Sequence, residues 1–158
     1  MTLCPPSKFL AAGLLLLLTA TFNGCGSGST EPTTDQVVFS NGAALSLVGS
    51  KGNYQIQGSA FQKISAVDIT VYYDPAALSS PGVVKGPLIT GAQMITNLSV
   101  PGTITVAQIG ANGVTGSGNL ATVSFATDNG TRGPSFGKVR IIDDLFHVYS
   151  SNGRGPQP

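Results

Sequence analysis

Alternation of side-chain character points to an all-β domain, and three observations carry that expectation. Apolar and polar residues alternate with period two along several runs, most clearly Ala66-Val67-Asp68-Ile69-Thr70-Val71-Tyr72-Tyr73. That is the spacing of a strand with one face in a core and the other in water. Turn-forming residues recur between such runs, at Asn41-Gly42, Gly49-Ser50-Lys51-Gly52, Pro101-Gly102, Asn112-Gly113 and Asn129-Gly130, where glycine and asparagine relieve the backbone of tight reversals. No long window beyond the first 25 residues has helical periodicity. Twenty-one glycines and ten prolines among 158 residues fit short strands joined by turns, as in a sandwich or barrel.

The amino-terminal segment has a different character. Lys8 is followed by eleven uncharged residues from Phe9 to Thr19, five of them consecutive leucines. This run is too short for a membrane-spanning helix of about 20 residues and has the length of a secretory signal core. The residues that close it, Phe22-Asn23-Gly24-Cys25, resemble a bacterial lipobox. The resemblance implies a lipoprotein signal peptide over residues 1–24, cleaved before Cys25, whose thiol would carry diacylglycerol. An ordinary signal peptide cut nearby, releasing a secreted protein, or an uncleaved anchor are the alternatives. With Cys4 removed and Cys25 acylated, the remaining chain has no thiol for a disulfide. Each buried methylene contributes about 0.8 kcal/mol, so two or more acyl chains hold a protein at a bilayer. Gly26 follows the cysteine where an aspartate is absent, which resembles lipoproteins sent to the outer membrane of a bacterial envelope. Residues 26–36 are Gly, Ser, Thr and Pro with few others and are expected to form a flexible linker of about 20 Å.

The domain proper is expected over residues 37–149. Its clearest strands are Asn53-Tyr54-Gln55-Ile56-Gln57, the run from Ala66 to Tyr73, Thr103 to Ile109, Ala121 to Phe125, and a last one from Lys138 toward Val148. Val67, Ile69, Val71, Tyr73 and Tyr54 fall on core faces by parity, while Asp68, Thr70, Tyr72, Gln55 and Gln57 fall on wet ones. Asp74 and Pro75 then form a structural cap for a single turn, because a carboxylate accepts from orphan amides and proline lacks one. Leu78 is placed to tuck back onto the core. Residues 150–158, SSNGRGPQP, have little to bury and are expected to form a disordered tail.

The stretch VDITVYYDPAAL, from Val67 to Leu78, carries a family resemblance. Its acidic residue, alternating apolar residues, Tyr-Asp-Pro and following leucine look like a strand and turn of bacterial cohesin modules. GPLITG from Gly86 to Gly91, Asn97 ahead of Pro101-Gly102, and Gly116-Ser117-Gly118 leading into Leu120-Ala121-Thr122-Val123-Ser124-Phe125 extend it over most of residues 37–148. The resemblance implies a jelly-roll β-sandwich of about nine strands in the wider carbohydrate-binding-module superfamily, without catalysis. In cellulosomes such modules hold the dockerin domains of polysaccharide-degrading enzymes, so the implied partner is a dockerin-like or other envelope protein.

Composition narrows the function further. Eight basic and seven acidic side chains, 9 % of the chain in all, leave no basic cluster for nucleic acid and no polybasic patch for anionic lipid. His147 is the only histidine, so a Ser-His-Asp site would have to use it, yet it is expected inside the last strand as a surface or packing residue. Asp143 and Asp144 are neighbours that face opposite sides of a regular strand and share a cation only at a bulge or loop. No cysteine or histidine cluster suits zinc, and no cofactor is implied. A polysaccharide is the rival ligand, for which Tyr72 and Tyr149 are the available stacking rings. Asp68, Thr70, Tyr72, Gln55 and Gln57, with Thr122 and Ser124, are the candidate binding face, a flat polar surface suited to hydrogen bonds at the rim of a protein contact.

Overall fold

The computed structural model describes residues 33–129 and 132–155. The signal segment, Cys25 and the linker as far as residue 32 lie outside the described residues. Eight strands follow in order: β1 (Thr33–Val38), β2 (Ala44–Ser50), β3 (Asn53–Tyr72), β4 (Leu78–Lys85), β5 (Gln93–Asn97), β6 (Thr103–Asp128), β7 (Ser135–Asp143) and β8 (Val148–Asn152). One 3₁₀ turn, Pro87–Ile89, sits between β4 and β5.

Two strands organise the molecule. β3 has 20 residues and β6 has 26; at about 3.3 Å per residue either would outrun a small domain if straight. Both therefore bend at the same place. Ala60 (φ 53°) and Lys63 (φ 50°) are left-handed in β3, opposite Gly113, Gly116 and Gly118 of β6. The register shifts between Gly58 and Phe61, Phe61 and Ile64, and Ile64 and Ala66, as bulges require. The displaced amides find hydroxyls: Ala60 N donates to Ser117 Oγ and Lys63 N to Thr115 Oγ1, both at 3.1 Å.

The bend creates two layers. Before it, β3 lies between β2 and the end of β6, giving β1-β2-β3-β6-β4; beyond it, β3 lies between the start of β6 and β7, giving β5-β6-β3-β7-β8. The layers face each other across one core that joins Leu45, Leu47, Ile56 and Val123 of the first to Val67, Ile69, Val71, Ile104, Val139 and Ile141 of the second. Tyr73 packs on Phe125 across the gap with ring centroids 5.0 Å apart. This is the expected all-β sandwich. Strands number eight among the described residues, rather than about nine, because runs that read as separate strands in the sequence are continuous through the bends.

The base of the sandwich holds the β2–β3 turn, the segment after Tyr72 and the start of β7; the crown holds the bends, the 3₁₀ turn and the β7–β8 turn. At the base, Asp74 Oδ1 accepts from Ala76 N at 2.9 Å, and Ala77 N and Leu78 N donate to Asp74 O. The Asp74-Pro75 segment is thus a turn held by its own carboxylate, and Leu78 behind it is buried.

Strands extend beyond the expected limits at both ends. β1 begins at Thr33, inside the segment expected to be linker. Its Asp35 is only 3 % exposed, with Oδ2 accepting from Phe136 N at 2.7 Å and Oδ1 from Gln36 N at 2.9 Å. At the carboxyl end, β8 runs to Asn152 through residues expected to be tail, because Ser150, Ser151 and Asn152 pair with Arg140, Val139 and Lys138. Beyond it Gly153 N donates to Gly137 O, Gly155 N to Phe136 O, and Arg154 Nε lies 3.6 Å from Asp35 Oδ1. Backbone pairing needs no apolar side chain, which is why a polar edge strand escapes a hydropathy pattern.

A buried tyrosine ties β3 to β6 at the base. Tyr54 is 3 % exposed; its hydroxyl donates to Asp128 Oδ2 at 3.0 Å, and Gly52 N donates to the same oxygen at 2.6 Å. Burial, then the hydrogen bond to Asp128 and its charge, push the phenol up to about 12 from 10.0. A folded-state value above the unfolded one means that this contribution is complete below pH 10 and is lost as pH rises through about 12. Urea midpoints are therefore expected to fall between pH 10 and 12, with a shallower fall in Tyr54→Phe; equal slopes in the two proteins would contradict this role.

Candidate docking face

The outward face of the β5-β6-β3-β7-β8 layer follows from strand parity. Val67, Ile69, Val71, Ile104, Val106, Val139 and Ile141 point inward and are buried, so their neighbours point out. Register then sets those neighbours side by side in rows. One row crosses Ala107, Asp68, Arg140 and Ser150; the next, toward the crown, crosses Ile109, Ala66, Ile142 and Val148. On the edge strand Ile95 stands opposite Ala107.

This face is apolar at its crown end and along its β5 edge. Ile95 and Ile109 are each 66 % exposed and Val148 is 57 % exposed. Leu145 and Phe146 in the adjoining β7–β8 turn are also exposed, Phe146 at 84 %. Neighbouring exposed aliphatic and aromatic side chains are the usual mark of a contact surface. Beside this band Arg140 Nη2 meets Asp68 Oδ2 at 2.8 Å, with both side chains nearly half exposed. Such a pair adds roughly 0–1 kcal/mol to stability; its larger effect is to place one charge of each sign at the middle of the face.

The turn that displays Phe146 is built on Asp143. Its Oδ1 accepts from Leu145 N and His147 N, each at 2.9 Å; His147 Nδ1 lies 2.9 Å from Oδ2, and Tyr149 OH donates to Oδ2 at 3.3 Å. Burial alone would raise the Asp143 carboxyl, but the hydrogen bonds from His147 and Leu145 together outweigh it and hold it below the ordinary carboxylate range. The Tyr149 phenol is raised, by burial first and then by Asp143. Phe146 itself is left-handed, φ 65°, the conformation that lets the chain reverse. Asp144 points elsewhere and pairs with Lys63 at 3.1 Å. His147 thus belongs to the turn preceding β8, not to the strand in which the sequence placed it, because Asp143 gathers the following amides instead of continuing a ladder. Among the described residues no three His, Cys, Asp or Glu side chains gather as metal ligands.

The five candidate binding residues do not share a surface. Asp68, Thr70 and Tyr72 lie on the face just described, whereas Gln55 and Gln57, which bond to each other at 3.2 Å, lie on the outside of the opposite layer with Thr122 and Ser124. The bend in β3 separates them. Tyr72 is partly covered, and its ring lies so closely against Gly137 that a Cβ at that position would collide with it. Tyr149 is likewise half-buried, its hydroxyl held by Asp143. Sequence reasoning missed Ile95, Ile109, Arg140, Phe146 and Val148. For Ile109 the signal was present, since its parity is opposite to that of Ile104 and Val106.

The family model described as "Cohesin domain" matches residues 42–152. Among solved structures, the chain is similar to a non-cellulosomal cohesin from the hyperthermophilic archaeon Archaeoglobus fulgidus, with a TM-score of 0.54 and 20 % identity over 63 % of this chain and 72 % of that one. It is similar to the sixth cohesin of Acetivibrio cellulolyticus scaffoldin B, solved in complex with a Cel5 dockerin, with a TM-score of 0.53 and 20 % identity over 63 % and 83 %. The Clostridium thermocellum complex of the OlpC cohesin with Doc435 gives 0.51 and 16 % over 63 % and 77 %. No curated protein matches.

Proposed function

The chain belongs to the cohesin domain family, and on that premise we propose that it is a non-catalytic module that docks a dockerin-like protein on the β5-β6-β3-β7-β8 face while tethered to a bacterial envelope membrane through Cys25. One observation carries the docking reading: an exposed band of Ile95, Ile109, Val148 and Phe146 beside the Asp68–Arg140 pair. Exposed apolar side chains bordered by polar and charged ones are the anatomy of a specific protein contact. The opposite face, with Gln55, Gln57, Thr122 and Ser124, offers hydrogen bonds with Val84, in register with Thr122, as an exposed aliphatic among them.

The tether reading is supported by where the chain leaves the sandwich. β1 starts at the base, the end of the sandwich from which the chain runs back toward Cys25. The apolar band lies at the crown end, away from that tether. A lipoprotein so attached presents its docking face outward from the outer membrane. Mass spectrometry of the mature amino terminus decides between this arrangement and secretion, since an unmodified terminus excludes the lipid.

The partner class is tested by capture. Immobilised domain is offered envelope extract and a glycan array, beside an Ile109→Asp variant. A protein retained by the native domain and lost by the variant is the expected result. Retention of polysaccharide by both proteins, with no protein captured, would replace this reading with carbohydrate binding.

A further inference from the structure

The crown bend of β6 contains a segment that is out of register with both neighbouring strands. In the ladder with β3, Ala66 pairs with Ile109 and Ile64 with Val114, so Gly110, Ala111, Asn112 and Gly113 oppose Ser65 alone. Pairing with β5 also stops at Ile109. Asn112 is exposed, and among the described residues no hydrogen bond engages its carboxamide. Gly113 follows it with φ 64°, and a glycine has no side chain to shield its amide nitrogen. The other asparagine–glycine pairs that lie wholly among the described residues are placed differently. Asn41 Oδ1 accepts from Ala43 N at 3.1 Å, and Gly42 N donates to Phe39 O at 3.0 Å. Asn152 is paired with Lys138, and Gly153 N donates to Gly137 O at 2.7 Å. In both, the glycine N–H is already committed to a carbonyl.

We propose that Asn112 is a site of spontaneous covalent modification, in which the chain supplies the nucleophile and solvent water completes the reaction. The Gly113 nitrogen bonds to Asn112 Cγ, and the bond from Cγ to Nδ2 breaks. Nδ2 leaves as ammonia, carrying the proton that Gly113 N gives up. The cyclic imide so formed then takes up water. Opening at Cγ leaves an aspartate; opening at the Asn112 backbone carbonyl leaves an isoaspartate, whose main chain runs through Cβ and Cγ. Because these residues stand outside the ladder, the lengthened main chain breaks no strand pairing. Either product sets a carboxylate at the crown, in the segment that directly follows Ile109 of the apolar band. This inference does not depend on the identity of any partner.

Peptide mapping by mass spectrometry tests it on the full chain. The folded protein is held at mildly alkaline pH beside synthetic peptides that carry each of the three asparagine–glycine pairs. Relative to its own peptide, Asn112 should exchange amide for acid many times faster than Asn41 and Asn152 do relative to theirs. Isoaspartate should appear at position 112, and the rate there should rise in proportion to hydroxide, since the attacking nitrogen must lose its proton. Asn112→Gln, a change at an exposed position, should fold and lose the exchange. Equal protection of the three asparagines relative to their peptides would overturn the proposal.

Discussion

Replacing Asp35 by alanine is expected to lower the unfolding free energy by about 2–4 kcal/mol, since a buried acceptor is removed and the donor it served is left unpaired. The carboxylate has 3 % exposure and holds Phe136 N at 2.7 Å, with Arg154 at 3.6 Å. It joins β1 to β7 and to the segment after β8. Asparagine in place of the acid keeps one acceptor, so Asp35→Asn should recover part of the loss. Gln36→Ala, one residue along on the solvent side, should change stability by under about 0.5 kcal/mol. Urea titrations of the three variants measure this. Equal midpoints for Asp35→Ala and Gln36→Ala would show that Asp35 is no anchor.

The second large effect concerns docking and leaves the fold alone. Ile109 is 66 % exposed, so Ile109→Asp should unfold within a degree or two of the native domain. At an interface the same change inserts a charge into the apolar band, and buried anchors contribute about 2 kcal/mol or more. Affinity for the captured protein should therefore fall at least about 30-fold, as read by calorimetry. Gln55→Asp, on the opposite layer, should bind as the native domain does. Arg140→Asp should also weaken binding, because it sets two acids side by side next to the band. A loss confined to Gln55→Asp would move the interface to the other layer.

How far the sequence reaches is clear from particular residues. Val67, Ile69 and Val71, read as core from their alternation, are all buried, and so are Tyr54 and Ile56. The turns at Asn41-Gly42, Lys51-Gly52 and Pro101-Gly102 fall between strands. What stayed hidden depends on contacts remote in the chain. The bend of β3 rests on Ala60 and Lys63 in a left-handed conformation that neither residue type advertises. Its amides are satisfied by Ser117 and Thr115, more than 50 positions away. Without that bend Gln55 and Asp68 read as one face; with it they stand on opposite sides of the sandwich. Asp35 was invisible for a related reason. It sits among Thr, Pro and Gln, a composition that signals a linker, and only its partner 101 residues away makes it structural. Arg140 and Val148 became part of a surface only once register set them beside Asp68 and Ile142.

The most direct measurement places a photo-activated benzoyl-phenylalanine at position 109 or at position 55 of the full chain in the cells that make it. Irradiation should yield a protein adduct from position 109 and none from position 55. Adducts from position 55 with none from position 109 would contradict docking on the β5-β6-β3-β7-β8 face.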